Sequence, residues 1–86
     1  MRNIEFVPSA FIEYRNWIEI DRKIALRISD LINDSLRNPF DGIGKPEPLK
    51  YEFKGYWSRR IDHEHRLVYK VSETTILIFS CFSHYQ

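Results

Sequence analysis

Residues 56–71 read YWSRRIDHEHRLVYKV, and this stretch decides the fold. Side chains alternate between the two faces of a strand, and the polar run at residues 63–65 is typical of a turn. A three-residue turn there predicts an antiparallel hairpin of strands 56–62 and 66–72. Its mostly apolar face pairs Trp57 with Val71, Arg59 with Tyr69, and Ile61 with Leu67. Its polar face, on which Arg60 and Arg66 lie together, pairs Ser58 with Lys70, Arg60 with Val68, and Asp62 with Arg66.

Further strands flank this hairpin. The segments at about 49–54 and 75–84 are rich in β-branched and aromatic residues, which favour strands. Residues 2–7 form a short first strand. Gly55 marks the turn before the hairpin, and residues 72–74 mark the turn after it.

Two helices are predicted between the first strand and the sheet. The first begins at Pro8, with Ser9 as its cap, and its core face consists of Phe11, Tyr14, Trp17 and Ile18. The second follows a cap at Asp21, and its apolar residues recur at helical spacing as Ile24, Ile28, Leu31, Ile32 and Leu36. It ends near Arg37–Asn38, because Pro39 disfavours a helical conformation at the residue before it.

The whole chain, residues 1–86, is predicted to form a single domain of the α+β class. Two N-terminal helices pack on one face of a small antiparallel β-sheet and leave the other face concave and cationic. A composition of 43% hydrophobic and 15% aromatic residues suffices for one core and disfavours disorder. Cys81 is the single cysteine, so an internal disulfide is excluded. With neither a signal peptide nor a membrane span, we expect a soluble cytoplasmic protein.

The charge of the chain is concentrated in its second half. The net charge is only +1, yet residues 45–70 contain seven basic and four acidic residues, a net of +3. Residues 1–44 contain six basic and seven acidic residues, a net of −1. A local cationic face suits a polyanion, although a solvated strand face would have the same composition.

Three residues in this half match the chemistry of RNA cleavage, in which the 2′-hydroxyl is the nucleophile. A base has to take its proton, a cation has to stabilise the phosphorane, and an acid has to protonate the leaving oxygen. Glu47, between two prolines in the loop 39–48, is the candidate base, Arg66 the cation and His84 the acid. Lys50 and Arg60 are candidates to hold flanking phosphates, and Tyr85 to stack on a base or orient the phosphate.

Each of these residues has a plainer interpretation when it is taken alone. Glu47 is then a surface carboxylate, Arg66 a salt-bridge partner of Asp62 or Glu64, and His84 a solvated histidine near the chain end. His63 and His65 receive no chemical role, and Cys81 is interpreted as a small buried residue. No His/Cys spacing indicates a metal site, and no cofactor is implied.

The combined motif closely resembles the YoeB (Txe/YoeB) toxins, which are RelE-like toxins of bacterial toxin–antitoxin pairs. The residues that carry the resemblance are GIGKPEPLK (42–50), GYWSRRI (55–61), EHRLVY (64–69) and His84–Tyr85. It extends through Trp17, the Ile28–Ile32 helix and Arg37–Phe40, and it is weakest in residues 1–16.

This resemblance implies a RelE-like microbial RNase fold and an mRNA endoribonuclease that cuts message in the decoding site of the ribosome. It places the catalytic residues at Glu47, Arg66, His84 and Tyr85, and the supporting residues at Lys50, Arg60 and Glu64. It also implies a homodimer, silencing by a cognate YefM-like antitoxin that folds on binding, and contact with operator DNA only through that antitoxin. Gln86 follows the His-Tyr pair at which the family typically stops, which bears on the terminal carboxylate and not on His84.

Two other functions remain open from the sequence. One is a non-catalytic inhibitor of a protein target, as in the ParE-like toxins that inhibit gyrase, although those relatives lack the Glu–Arg–His–Tyr set. The other is an RNA-binding or co-repressor module without turnover.

Overall fold

The computed structural model describes the backbone of residues 1–84 and the side chains of residues 1–83. Its elements are β1 (Asn3–Phe6), α1 (Pro8–Ile20), α2 (Arg22–Arg37), β2 (Glu47–Pro48), a 3₁₀ turn (Tyr51–Phe53), β3 (Tyr56–Arg60), β4 (His65–Val71) and β5 (Thr75–His84). The five strands form one sheet in the order β1-β5-β4-β3-β2. Both helices pack on the sheet, which confirms the predicted α+β architecture.

The sheet is mixed rather than wholly antiparallel. β1 pairs with β5 in parallel, from Asn3 opposite Thr75 to Phe6 opposite Ile78, whereas β2-β3, β3-β4 and β4-β5 are antiparallel. Residue composition identifies a strand but not the direction of its neighbour, so the sequence did not reveal this parallel pair. A short connection joins the two strands of each antiparallel pair, whereas the two strands of the parallel pair are far apart in the chain.

The prediction of a strand at residues 49–54 is wrong. Residues Tyr51–Phe53 form a 3₁₀ turn, because Tyr51 adopts a φ of 58°, which is incompatible with an extended strand. The edge strand β2 lies just before it, at Glu47–Pro48, inside the segment predicted as a loop.

The register of the β3–β4 hairpin differs from the prediction by two residues, while the faces are as predicted. Trp57 lies opposite Tyr69, Ser58 opposite Val68, Arg59 opposite Leu67 and Arg60 opposite Arg66. The connection is longer than three residues, since Ile61 N donates to His65 O (3.0 Å). A shift of two residues preserves the alternation, so Arg60 and Arg66 still share one face.

The helix boundaries test the two predicted caps. Asp21 is confirmed as the cap of α2, since its Oδ1 accepts from Lys23 N (3.1 Å) and Ile24 N (3.4 Å). The cap at Ser9 is wrong: α1 starts at Pro8, which has no amide hydrogen to satisfy, and no side chain caps this end. α2 ends at Arg37, as predicted.

The core lies between the helices and the sheet. Its fully buried members are Ala10, Ile28, Leu31, Leu67, Tyr69, Ile76, Ile78 and Cys81. Trp17 is also buried and donates from Nε1 to Cys81 O (2.8 Å), but Phe11 and Ile18 are exposed, since α1 buries only a narrow stripe. Cys81 is the buried small residue that was predicted, and its burial, with the nearby Glu13 carboxylate, raises its thiol pKa to about 12. No helix within residues 1–84 is long and apolar enough to cross a membrane.

Candidate functional site

The candidate residues lie on the sheet face opposite the helices. Glu47 pairs with Ser58, and Ser58 pairs with Val68, so these residues form one row across β2, β3 and β4. The next row on the same face contains Arg60 directly opposite Arg66. The structure therefore brings Glu47, Arg60 and Arg66 onto neighbouring positions of one surface. The alternation of side chains predicted this for Arg60 and Arg66, whereas Glu47 was predicted in a loop and lies in β2.

These residues differ in their exposure. Glu47, Lys50 and Arg60 are exposed, whereas Arg66 is only 8% exposed. Lys50 precedes the 3₁₀ turn, three residues after Glu47 in the chain. The site thus combines exposed cations and an exposed carboxylate with one largely buried guanidinium.

The turn between β3 and β4 holds that guanidinium. Arg66 Nη1 donates to Asp62 O (2.7 Å) and to His65 O (3.0 Å). The Asp62 carboxylate in turn accepts from Glu64 N (2.8 Å) and His65 N (2.6 Å). Two main-chain carbonyls of the turn therefore anchor the guanidinium that was predicted from the sequence as the candidate cation.

Asp62 and His65 organise the turn that holds Arg66, a role that was not predicted for them from the sequence. The Asp62 carboxylate lies 3.2 Å from His65 Nδ1. Burial raises the pKa of Asp62, but the hydrogen bonds from His65 and Glu64 outweigh it, so the net pKa lies below 3.8. The signal was available, because an Asp at the start of a turn accepts amide hydrogens two and three residues later.

The His65 ring connects this turn to the helical layer. It packs edge-on against Trp17, with ring centroids 5.0 Å apart, and in a tilted orientation against Phe82 at the same separation. Its backbone lies opposite His84 in the β4–β5 pair, while Arg66 lies opposite Ser83. The pairing shifts register twice between Arg66 and Tyr69, and such bulges re-aim side chains near functional sites.

The structure places only part of the predicted catalytic set. His84 is the last residue of β5, and its backbone lies beside β4, the strand that carries Arg66. The side chain of His84 and the residues Tyr85 and Gln86 lie outside the described part of the chain. Glu64 is exposed in the turn that anchors Arg66.

A second guanidinium, that of Arg59, was assigned to the apolar face without a role, and it is the most extensively bonded side chain described. It is fully buried and forms an ion pair with Asp34 of α2. All five of its N–H groups are donated: Nε to Tyr69 Oη (2.9 Å), Nη1 to Asp34 Oδ2 (2.6 Å) and Ile43 O (3.1 Å), and Nη2 to Asp41 O (2.8 Å) and Asn38 O. We call this set, with Tyr69 and Asp34, the Arg59 clamp.

The Arg59 clamp fixes the loop that leads to Glu47. Tyr69 Oη donates to Pro39 O (2.8 Å), and Asp34 Oδ2 accepts from Ile43 N (3.0 Å), so the loop is held from α2, β3 and β4. The hydrogen bond from Arg59 is the main reason that the pKa of Asp34 is lowered. Burial raises the pKa of Tyr69 and outweighs its contact with Arg59.

Gly44 lets the end of this loop approach the sheet closely. Its carbonyl accepts from Arg60 N (2.7 Å), and its φ is +80°. A Cβ at this position would lie 2.7 Å from Leu31 Cδ2 and 3.2 Å from Arg59 Cβ. Glycine is therefore required to bring the chain onto β3 three residues before Glu47.

Within the described residues, no group of three or more His, Cys, Asp or Glu side chains is arranged to hold a metal ion.

Comparison with known proteins identifies the family. Residues 6–85 match the family model described as the YoeB-like toxin of bacterial type II toxin–antitoxin systems. The toxin RelK of Mycobacterium tuberculosis is 49% identical over 85 residues, which cover 99% of this chain and 100% of RelK. The chain belongs to the YoeB-like toxin family.

Two solved structures agree with this assignment. The YoeB dimer of Staphylococcus aureus is 48% identical, with a TM-score of 0.91 and 98% coverage of both chains. The YoeB–YefM complex of the same organism is 46% identical, with a TM-score of 0.89 and 99% coverage of both chains. The fold and the family are thus those of a type II toxin.

Proposed function

We propose that this toxin is an endoribonuclease that cleaves mRNA in the ribosomal A site and thereby stops translation. The observation that carries the proposal is the pair Arg60–Arg66, which lies directly across two strands beside Glu47. Two arginines in directly opposed positions concentrate positive charge and N–H donors on one part of this face. Such an arrangement suits a phosphodiester, whose oxygens accept hydrogen bonds from guanidinium groups.

The proposed reaction uses the 2′-hydroxyl of the message as its nucleophile. Glu47 accepts the 2′-hydroxyl proton, Arg66 stabilises the charge of the phosphorane, and His84 protonates the departing 5′-oxygen. The proton and the leaving group are thus both handled by side chains, and no metal ion is needed for either transfer. Tyr85 positions the reacting nucleotide.

The burial of Arg66 supports its role as the charge stabiliser. A guanidinium whose position is fixed by the carbonyls of Asp62 and His65 is preorganised, so it loses little entropy when charge develops on the phosphate. Lys50 and Arg60, both exposed, bind the flanking phosphates, and Glu64 supports the turn.

The proposed partners follow from the relatives. The solved complexes of the S. aureus toxin with YefM support a YefM-like antitoxin as the inhibitor of this chain. The S. aureus dimer supports a homodimer. The ribosome and its mRNA are the target, operator DNA is contacted only through the antitoxin, and the site of action is the cytoplasm.

The test is a toeprint of a translated message with the purified toxin. Wild-type protein is expected to shorten the message in the decoding site, and only when ribosomes are present. Glu47→Gln and His84→Ala are expected to reduce cleavage by roughly 10²–10⁴-fold, the usual contribution of one positioned acid or base. Glu73→Gln changes a similarly exposed carboxylate in the β4–β5 turn and serves as the matched control.

A message with a 2′-deoxy nucleotide at the cut site should not be cleaved. Cleavage of that message, or full activity of Glu47→Gln, contradicts the proposed mechanism. Inhibition of gyrase supercoiling without any cut in RNA would instead support a ParE-like inhibitor, and RNA binding without turnover would support a binding module.

A further inference from the structure

The helix-free face also contains an apolar hollow beside the proposed cleavage site. Its volume is about 320 Å³, and its lining residues are Leu49, Phe53, Val68, Phe79, Phe82 and Ser83. Ser83 lies directly opposite Arg66, and Leu49 follows Glu47 by two residues. The hollow therefore adjoins the positions that carry the proposed base and the proposed charge stabiliser.

Aromatic rings form one wall of this hollow. The Tyr56 and Phe79 rings are 5.2 Å apart, and the Phe53 ring lies 6.1 Å from Phe79 and 6.2 Å from Tyr56. Even so, Phe53 and Phe79 remain 40% and 37% exposed. Two edge-to-face contacts and one tilted contact hold the three rings together, while the exposed surfaces of Phe53 and Phe79 stay open to a planar ligand.

One lysine contacts these rings, and further exposed cations lie on the neighbouring segments of the chain. Lys70 Nζ lies 5.3 Å from the centroid of the Tyr56 ring, and Lys50, Lys54 and Arg60 are all exposed on the neighbouring segments. Protein–protein interfaces are depleted in lysine at their centres. A wall of aromatic rings with lysine and arginine residues nearby instead matches single-stranded nucleic acid. Its bases stack on aromatic rings, and its phosphates bind cations.

We propose that this hollow binds the nucleobase of the nucleotide next to the scissile phosphate, stacked against Phe79 and Phe53. The inference deepens the proposed function and rests on it, because it assigns the substrate's neighbouring base to a particular surface. Stacking accepts every base, so the hollow contributes affinity and little preference among the four bases.

The experiment measures binding to ribosomes programmed with messages that cannot be cut. A 2′-O-methyl group blocks the nucleophile at the cut site, and the flanking nucleotide carries either a base or an abasic sugar. Removal of the base is expected to weaken binding of the wild-type toxin by roughly 5- to 150-fold, the effect of losing one stacked base. Exchange of one base for another is expected to change binding by less than the abasic substitution.

Variants at Phe79 locate the base. Phe79→Ala is expected to bind the complete message as weakly as the wild type binds the abasic one, and to be insensitive to removal of the base. Phe79→Tyr keeps a stacking ring and should restore both affinity and sensitivity. Phe11→Ala removes a phenylalanine that is 50% exposed on α1 and provides the matched control, with wild-type behaviour expected.

The outcomes separate this inference from the proposed function. Because the messages are not cut, the measurement does not depend on catalysis. A wild-type toxin that does not bind programmed ribosomes contradicts the proposed function itself. Binding that is equally strong with and without the base, or a Phe79→Ala variant that alters only dimer or antitoxin association, overturns the nucleobase site and makes the hollow a protein contact.

Discussion

Arg59 and Arg60 are consecutive residues of one strand, and they lie in opposite environments. Arg59 is fully buried, donates all five N–H groups, and ties three elements and a loop together. Arg60 is exposed on the other face, opposite a second arginine. Strand alternation alone separates them, and it makes one guanidinium a structural element and leaves the other available to a ligand.

The comparison shows why a cation in a motif is not by itself a functional residue. A buried guanidinium is tolerated only when every donor is satisfied, and the Arg59 clamp meets that condition. Arg60 lies directly opposite Arg66 and keeps its guanidinium at the surface, where it can bind an anion. The measurable difference is therefore stability at Arg59 and ligand binding at Arg60.

The largest effect is expected for Arg59→Ala. Removal of this partner leaves the Asp34 carboxylate and several loop carbonyls without their donor, so the free energy of unfolding should fall by about 3–5 kcal/mol. Urea unfolding followed by far-UV circular dichroism measures it, with Arg60→Ala as the neighbouring control. Equal stabilities of the two variants would show that the clamp does not stabilise the fold.

Asp34→Asn is expected to have the next largest effect, about 1.5–3 kcal/mol, because a charge-assisted hydrogen bond becomes a neutral one. The native pKa of Asp34 is lowered from 3.8, so the unfolded chain binds more protons at acidic pH. The stabilisation is therefore complete above the unfolded pKa and is lost as pH falls through the folded pKa.

The pH dependence of unfolding supplies the control for Asp34. Wild-type protein should lose stability more steeply than Asp34→Asn as the pH falls below about 4. Parallel curves for the two proteins would assign the acid sensitivity to other carboxylates.

Tyr69→Phe tests the contribution of the Tyr69 hydroxyl to the Arg59 clamp. The variant removes the hydroxyl that accepts from Arg59 Nε and donates to Pro39 O, while it keeps the ring 5.5 Å from the guanidinium carbon. A loss of about 1–2 kcal/mol is expected for the unsatisfied donor. Thermal and urea unfolding should agree, and an unchanged stability would indicate that another acceptor replaces the hydroxyl.

Arg60→Ala is expected to have the smallest effect on stability, within about 0.5 kcal/mol, since it is an exposed substitution that also removes a like-charge contact. Its effect should appear in RNA binding instead. Loss of one phosphate contact reduces the slope of log K against log salt by about 0.7 for a single strand. A salt titration with an uncleavable RNA measures it, and an unchanged slope would remove Arg60 from the phosphate contacts.

Alternation along β3 and β4 was predictable because it depends only on the period of the strand. The pairing of Arg60 with Arg66 was not, since the register depends on the length of the turn that Asp62 organises. The clamp was hidden for a similar reason: Arg59 and Asp34 are 25 residues apart, and no local pattern brings them together. The positive φ of Tyr51 likewise has no signal in residue type.

The helix cap at Asp21 and the pairing of β1 show the same difference between local contacts, which the sequence predicts, and distant contacts, which it does not. Asp21 was predictable as a cap because its partners, Lys23 and Ile24, are its neighbours in the chain. The parallel pairing of β1 with β5 depends on contacts between the two ends of the described chain, which no window of sequence contains.

The position of β5 has a consequence for how the molecule is made. This strand follows the other four strands of the sheet in the chain, yet it lies between β1 and β4 and provides the edge on which β1 docks. On a translating ribosome, β1 and the two helices emerge before the sheet on which they pack has formed. Contacts this distant in sequence form late and slowly. Cotranslational folding of the domain must therefore wait for residues 75–84, and until they emerge the nascent chain exposes apolar helix surface.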